Sequence, residues 1–330
     1  MPEKVFVTGG AGFVGTNLIH LLLEQGYQVK ALARSSSSTQ NLDGLDIELV
    51  QGDLNDTNLW SQMRGCEALF HVAAHYSLWQ ADRDRLYRDN VLGTRAILQS
   101  ARRADVRRVV YTSSVAAIGT GRRGEALTET HQTPMEQLIG NYKKSKFLAE
   151  LEAKKAVAAG QDVVIVNPTS PIGPWDRKPT PTGDIILRFL RRQMPFYLDT
   201  GLNFIDVRDV AWGHLLALEK GVTGQRYILG HQNMTLKSML DLLAAHTGLP
   251  SPSQRIPHWL PLLSAWVDER LLARLGKSPS IALDGVRMAS QHMYYDSFLA
   301  VHELGLPQSP VTRALATAID WFEKNGFVQL

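Results

Sequence analysis

The chain has 330 residues, 44% of them hydrophobic and 20% charged, with a formal net charge of +3. That is the make-up of an ordinary globular protein able to bury a large core, as two lobes or as one domain with an elaborated C-terminal half. It excludes a disordered chain and gives no reason to expect nucleic acid: Arg102, Arg103, Arg107 and Arg108 cluster, but they flank a predicted strand and read as a solvated helix end.

The first predicted element is the apolar run Val5-Phe6-Val7, the pattern of a buried parallel strand. A strand this close to Met1 leaves no room for a signal peptide, and no apolar run reaches the ~18 residues of a membrane span, so a cytoplasmic protein is expected. Gly9, Gly12 and Gly15 follow at spacings of three, and a helical pattern of Leu18, Ile19, Leu21, Leu22 and Leu23 begins at once. Each glycine has a mechanical reason: a tight turn, close approach of backbone to a pyrophosphate, and close packing of helix on strand. The helix start, Phe13-Val14-Gly15, turns its free N–H groups and positive dipole end toward phosphates. A glycine triplet alone is weak evidence; between a strand and a helix it predicts dinucleotide binding.

A second strand is predicted over Gln28–Ala33, with Arg34 and Ser35 in its exit loop, and a third over Ile47–Gln51, ending in Gly52-Asp53. A helix over Thr57–Met63 leads past Cys66 to a fourth strand, Ala68–Ala73. Cys66 is the single cysteine, so no internal disulfide can form and a reducing compartment is expected. A long helix (Asp82–Ala104), a fifth strand (Arg108–Thr112), a helix from Asn141 to Ala159 and a sixth strand (Asp162–Asn167) complete a repeating pattern. Strands alternating with helices at this interval predict an α/β, Rossmann-type doubly wound parallel sheet over residues 1–168, with ligands beyond the strand C-termini.

From Pro168 the texture changes. Five prolines between Pro168 and Pro181 give a shaped loop, and helical patterns return near Asp184–Arg192, Asp209–Lys220, Leu236–Thr247, Leu260–Arg274, Ile281–Ser290 and Val311–Asn325. A seventh strand is predicted at Arg226–Leu229. The expectation is a smaller, mostly helical substrate lobe from 169–202 and 231–330, with Asn203 to Gly230 threading back into the first domain. His258–Val267, apolar with two tryptophans, could be a lid touching a lipid-like substrate or a membrane surface; a helix packed on the C-terminal lobe explains it more simply.

Chemistry points to Tyr142 and Lys146, four apart and so on one helix face. A phenol with a reference pKa of ~10 is a poor base at neutral pH, and a nearby ammonium stabilises its phenolate. Tyr-x-x-x-Lys is common by chance; downstream of the glycine loop and of a strand ending Thr112-Ser113-Ser114 it carries weight.

In chain order Thr8-Gly-Gly-Ala-Gly-Phe-Val-Gly15, Gly52-Asp53-Leu54, His71-Val-Ala-Ala74, Asn90-Val-Leu-Gly-Thr94, Tyr111-Thr-Ser-Ser114 and Tyr142-x-x-x-Lys146 resemble the extended short-chain dehydrogenase/reductases along the whole chain. Within them the chain is similar to the dihydroflavonol-4-reductase-like branch. Val166–Pro174, Lys178–Gly183 and His71–Trp79 bring it nearest to the group labelled hopanoid-associated sugar epimerase, although His75 departs from that group's usual polar residue. The resemblance implies that Ser114 (Ser113 less so) hydrogen-bonds the reacting oxygen, Tyr142 gives or takes its proton, and Lys146 binds the nicotinamide ribose while tuning Tyr142. It places Asp53 and Leu54 by the adenine, Ala73 and Ala74 where the cofactor needs space, Pro168 by the nicotinamide, and Thr112 and Ser170 along the cofactor. Asn90 would brace the site, and the Asp82–Ala104 and Asn141–Ala159 helices would form a homodimer.

Cofactor choice follows from charge. An acid ending the second strand would accept from a ribose 2′-hydroxyl and repel a 2′-phosphate; Arg34, followed by Ser35, stands there instead and favours NADP(H), with NAD(H) the alternative. His75, Tyr76, Trp79, Ser114, Lys178, Thr180 and Thr182 are the candidates to meet a small-molecule substrate, and no cluster has metal-ligand spacing. The expected activity is NADPH-dependent reduction of an aldehyde or ketone. The alternative is a sugar or nucleotide-sugar epimerase, for which Arg188, Arg191 and Arg192 would have to face a diphosphate. A non-catalytic dinucleotide sensor is disfavoured by the presence of both Tyr142 and Lys146.

Overall fold

The computed structural model describes residues 3–35, 38–262 and 283–329. Its first sheet has seven strands: β1 (Lys4–Thr8), β2 (Gln28–Ala33), β3 (Glu48–Gln51), β4 (Ala68–His71), β5 (Arg108–Thr112), β7 (Val163–Pro168) and β11 (Arg226–Leu229). Their order across the sheet is β11-β7-β5-β4-β1-β2-β3, and every neighbouring pair runs parallel. The order reverses at β1, which pairs β2 on one side and β4 on the other. Such a reversal opens a crevice beyond the strand C-termini, where doubly wound sheets bind ligands.

Period-two alternation explains why both faces are covered. Val5, Val7, Val110, Val164 and Val166 pack with α1 (Phe13–Glu24) and α7 (Val207–Lys220) through Leu18, Leu22, Val210 and Leu215. Phe6, Val109, Tyr111, Val163 and Ile165 point the other way, onto α4 (Gly93–Arg103) and α5 (Gly140–Ala158) through Ile97, Ala101, Ala149 and Ala153. The helix predicted over Asp82–Ala104 is interrupted: a short α3 (Arg83–Leu86) passes through one π-helical stretch, Tyr87–Leu92, before α4. That extra residue per turn turns Asn90 inward, where it is 2% exposed.

A second, mixed sheet orders β12 (Gln232–Thr235), β10 (Gly201–Asp206), β14 (His292–Tyr295) and β6 (Ala126–Leu127), with β8 (Ser170–Ile172) also on β10. Around it α6 (Pro181–Leu190), α8 (Leu236–Thr247) and the helix Val311–Lys324 bury Ile186, Phe204, Leu240, Leu315 and Phe322. A two-stranded pair joins β9 (Phe196–Tyr197) and β13 (Gln254–Arg255). The C-terminal half is therefore helical with a sheet of its own. Asn203–Asp206, the start of the segment expected to thread back into the first domain, pair with β12 and β8. The chain turns back only at α7, capped by the Asp206 carboxylate accepting from the Arg208 N–H, and then forms β11. Most of the predicted Leu260–Arg274 helix, and of the lid segment beyond Leu262, lies outside the described residues.

Candidate active site

The glycine loop leaves β1 at the switch point. Gly9 has φ +72°, and a Cβ there would sit 2.6 Å from the Ala73 backbone nitrogen. A Cβ on Gly15 would lie 2.1 Å from the Gly9 carbonyl oxygen, so α1 can cross the loop this closely only without a side chain. Gly12 precedes α1 in extended conformation, no side chain caps the helix, and no acid stands in its first turn. The amides of Phe13, Val14 and Gly15 thus open a long helix toward the crevice with a positive dipole end. A flat, uncapped cradle with both adjoining strands' exits narrowed to Gly9 and Ala73 fits the pyrophosphate of a dinucleotide.

The floor is held by neutral imidazoles. His71 is fully buried between the Thr8 and Thr94 hydroxyls at 2.8 and 3.0 Å, and burial, then the charge of Lys146, drop its pKa to about 3. The Thr8 hydroxyl also accepts from the Ala73 N–H, which fixes the exit of β4. His214 on α7 donates from Nδ1 to the Val210 carbonyl, so its Nε2 accepts from the Thr112 hydroxyl at 2.8 Å. Burial lowers its pKa to about 4.

Lys146 is 2% exposed and donates to the Thr112 carbonyl at 2.9 Å, with its ammonium 5.4 Å from the Tyr111 ring centre. Burial lowers its pKa to about 8, and Glu150 one turn on pulls it back up. Tyr142, one turn before, meets the Tyr76 ring edge-on with centroids 4.6 Å apart. Burial pushes the Tyr142 phenol up to about 12, against the lowering effect of the Ser114 hydroxyl. The sequence led us to expect a phenol pulled down by Lys146; the influence that opposes burial here is the Ser114 hydroxyl. Ser114 caps the short turn Val115–Ala117 by accepting from the Ala116 N–H at 3.1 Å.

Under these three lies a group the sequence reading passed over. Glu150, 2% exposed, accepts from the Ser113 hydroxyl (2.7 Å), the Asn167 amide (3.0 Å) and the Arg226 guanidinium (3.1 Å). Burial alone would raise its pKa, but Arg226, Lys154 and those hydrogen bonds prevail and hold it below the usual carboxylate range. Asn167 also donates to the Ser114 carbonyl, so Glu150 and Asn167 together set the serine loop. The signal was available: Tyr142, Lys146 and Glu150 form one i, i+4 ladder on α5.

Asn90 ties the site from the other side. Its side chain accepts from the His75 N–H (2.7 Å) and donates to the His75 carbonyl (2.9 Å) and the Ser145 hydroxyl (3.0 Å). Among the described residues His75 Nε2 is buried without a hydrogen-bond partner, with the Asp82 carboxylate 3.9 Å away. Its pKa is lowered by burial first and then by Arg85, with Lys178 adding to the effect across the crevice. Trp79 is half-buried and Lys178 exposed. Thr180 is engaged elsewhere: it caps α6, accepting from Gly183 N–H and donating to the buried Asp176 carboxylate at 2.8 Å. Thr182 is 7% exposed in α6. Pro168 ends β7 opposite Leu229, and Ser170 pairs with Phe204 in β8.

At the adenine end, Asp53 closes an Asx turn by accepting from the Asn55 N–H at 3.1 Å, and Leu54 packs against Gly93. Arg34 and Ser35 are exposed just past β2. The Arg34 guanidinium stands 3.8 Å from Asp89, an acid brought there by the π-helical stretch rather than by β2. Arg188 pairs with Asp184 at 2.7 Å and Arg191 donates to the Phe327 carbonyl. Among the described residues no group of His, Cys, Asp and Glu could hold a metal ion, and no helix is long and apolar enough to cross a membrane.

Residues 5–230, which carry the glycine loop, Ser114, Tyr142 and Lys146, match the NAD dependent epimerase/dehydratase family. The chain belongs to this family, the extended short-chain dehydrogenase/reductases. It is an enzyme of their oxidoreductase and epimerase type. It is 61% identical to a Synechocystis sp. protein provisionally named dihydroflavonol 4-reductase, over 100% of this chain and 97% of the relative. The crystal structure of gox2253 superposes with a TM-score of 0.88 at 38% identity, covering 99% of this chain and 100% of that one. That of PA4631, a nucleoside-diphosphate-sugar epimerase from Pseudomonas aeruginosa, gives 0.80 at 25% identity, covering 99% of each.

Proposed function

We propose that the chain is an NADPH-dependent reductase of a small-molecule aldehyde or ketone, in the manner of the dihydroflavonol reductases. The observation that carries the reading is the placement of Tyr142 beside the Ser114 hydroxyl, on the helix face whose next turn holds Lys146. When bound, the nicotinamide supplies a hydride to the carbonyl carbon. Ser114 donates a hydrogen bond to the carbonyl oxygen, and Tyr142 gives that oxygen its proton as charge builds on it. Lys146, fixed by the Thr112 carbonyl, holds the ribose hydroxyls and stabilises the phenolate left behind. The amides of Phe13 to Gly15 hold the pyrophosphate, with Gly9, Gly12, Ala73 and Ala74 leaving it room. Asp53 and Leu54 border the adenine, and Arg34 takes the 2′-phosphate by exchanging Asp89 for it. Pro168 and Ser170 close the nicotinamide end, and His75, Tyr76, Trp79 and Lys178 face the substrate.

The second reading, a sugar epimerase, draws on the likeness to PA4631. It is weaker because two of the three candidates for a substrate diphosphate, Arg188 and Arg191, are already held by Asp184 and the Phe327 carbonyl. Fluorescence titration of cofactor-stripped protein with NADPH and with NADH separates the two. The reductase reading expects tighter NADPH binding with ready exchange; NAD retained through purification and no NADPH preference would favour the epimerase.

A further inference from the structure

One residue of the Tyr142–Lys146 segment belongs to neither function so far. Consecutive helix positions point about 100° apart, so Lys143 leaves the face that carries Tyr142 and Lys146. It is 4% exposed and donates to the Thr120 hydroxyl at 3.0 Å and, more distantly, to the Met293 thioether at 3.9 Å. Among the described residues no carboxylate pairs with it, and burial lowers its pKa to about 8. A buried ammonium that keeps its charge near neutral pH without a counter-ion is costly unless something anionic joins it.

Lys143 lines a cavity of about 250 Å³ together with Thr120, Thr133, Gln137, Leu138, Ile139 and Gln291. Neither Tyr142 nor Ser114 borders it. Drug-sized ligands occupy pockets of roughly 300–1,000 Å³, so this space suits a small ion with a few waters rather than a metabolite. A second, independent feature lines the same cavity. Among the described residues Gln291 Oε1 is buried with no hydrogen-bond partner, an acceptor as unsatisfied as Lys143 is uncompensated.

We propose that this cavity is a binding site for inorganic phosphate, separate from the dinucleotide crevice, with Lys143 as the cation and Gln291 as the acceptor. The two unmet groups make opposite demands: Lys143 offers N–H donors to an anion, whereas Gln291 Oε1 requires a donor. Sulfate and carboxylates carry acceptors alone at neutral pH. Hydrogen phosphate carries both, since its dianion keeps one O–H. A phosphate monoester has lost that proton above its second pKa of ~6. The Thr120 and Thr133 hydroxyls, which can serve either way, complete the shell.

The test is calorimetric titration of the full-length protein at pH 7.5 with inorganic phosphate, sulfate, acetate and phenyl phosphate at matched ionic strength. Phosphate is expected to bind at least tenfold more tightly than the other three. Lys143→Met should weaken phosphate at least tenfold, and Gln291→Leu should abolish the preference over sulfate. Phosphate held at the glycine loop would be unchanged by both substitutions, which distinguishes it. Equal affinity for sulfate and phosphate in the wild type overturns the proposal, as does unaltered phosphate binding in either variant. Should Lys143→Met fail to fold, the wild-type discrimination and its loss in Gln291→Leu decide the matter.

Discussion

Two lysines three residues apart on α5, Lys143 and Lys146, are both buried and both have their pKa brought to about 8 by burial. Their surroundings differ. Lys146 has the Thr112 carbonyl, the face of Tyr111 and Glu150 one turn away; Lys143 has a hydroxyl and a thioether. One is fixed by the first sheet before any ligand arrives; the other, among the described residues, has no carboxylate opposite it. The comparison shows that a depressed lysine pKa does not identify a function by itself; what stands opposite the ammonium does.

The sharpest way to break the comparison is on the Lys146 face. Tyr142→Phe should lower turnover by about 10²- to 10⁴-fold, the usual worth of a placed acid, with thermal stability and NADPH affinity little changed. Steady-state kinetics beside a fluorescence titration would show it. Glu150→Ala should then destabilise by about 3–5 kcal/mol, because it strands Arg226 in a buried site. Urea unfolding measures that loss, and activity should fall with it as the Ser113–Ser114 loop loosens.

The Lys143 side answers to pH. Folding moves Lys143 from its ordinary pKa to about 8, so the unfolded chain holds more protons above that value, and the stability set by this group rises from about pH 8 to about pH 10.5. Urea midpoints at several pH values should show Lys143→Met lacking that rise relative to wild type, a difference in which the other titrating groups cancel. In a smaller effect, Arg34→Ala should weaken NADPH about tenfold, or about 1.4 kcal/mol, and leave NADH unchanged. The smallest effect belongs to Arg188→Ala, whose exposed pair with Asp184 is worth at most about 1 kcal/mol; substrate KM should not move.

Much of this was legible in the chain because the first sheet is built from neighbours. Strand, glycine loop and helix follow one another within the first 24 residues, and Val5-Phe6-Val7 already announces a strand buried on both faces. The Tyr142–Lys146 spacing could be read for the same reason: helix periodicity is local. The second sheet could not. It takes two residues from Ala126–Leu127, three around Pro171 and four at His292–Tyr295, each too short for a pattern and joined only by tertiary pairing. Of the segment Asn203 to Gly230, Arg226–Leu229 joins the first sheet and Asn203–Asp206 the second, a division that tertiary pairing decides. Glu150 and Lys143 were missed because a charged residue in a helix reads as solvated unless its burial is known.

The most direct test of the account follows the absorbance of reduced nicotinamide while the wild type and Tyr142→Phe meet a panel of aldehydes, ketones and nucleotide sugars. The account predicts net NADPH consumption with a carbonyl compound, its reduced alcohol as product, and near-complete loss in Tyr142→Phe although that variant still binds NADPH. Undiminished turnover in Tyr142→Phe, or conversion of a sugar with no net consumption of NADPH, would contradict it.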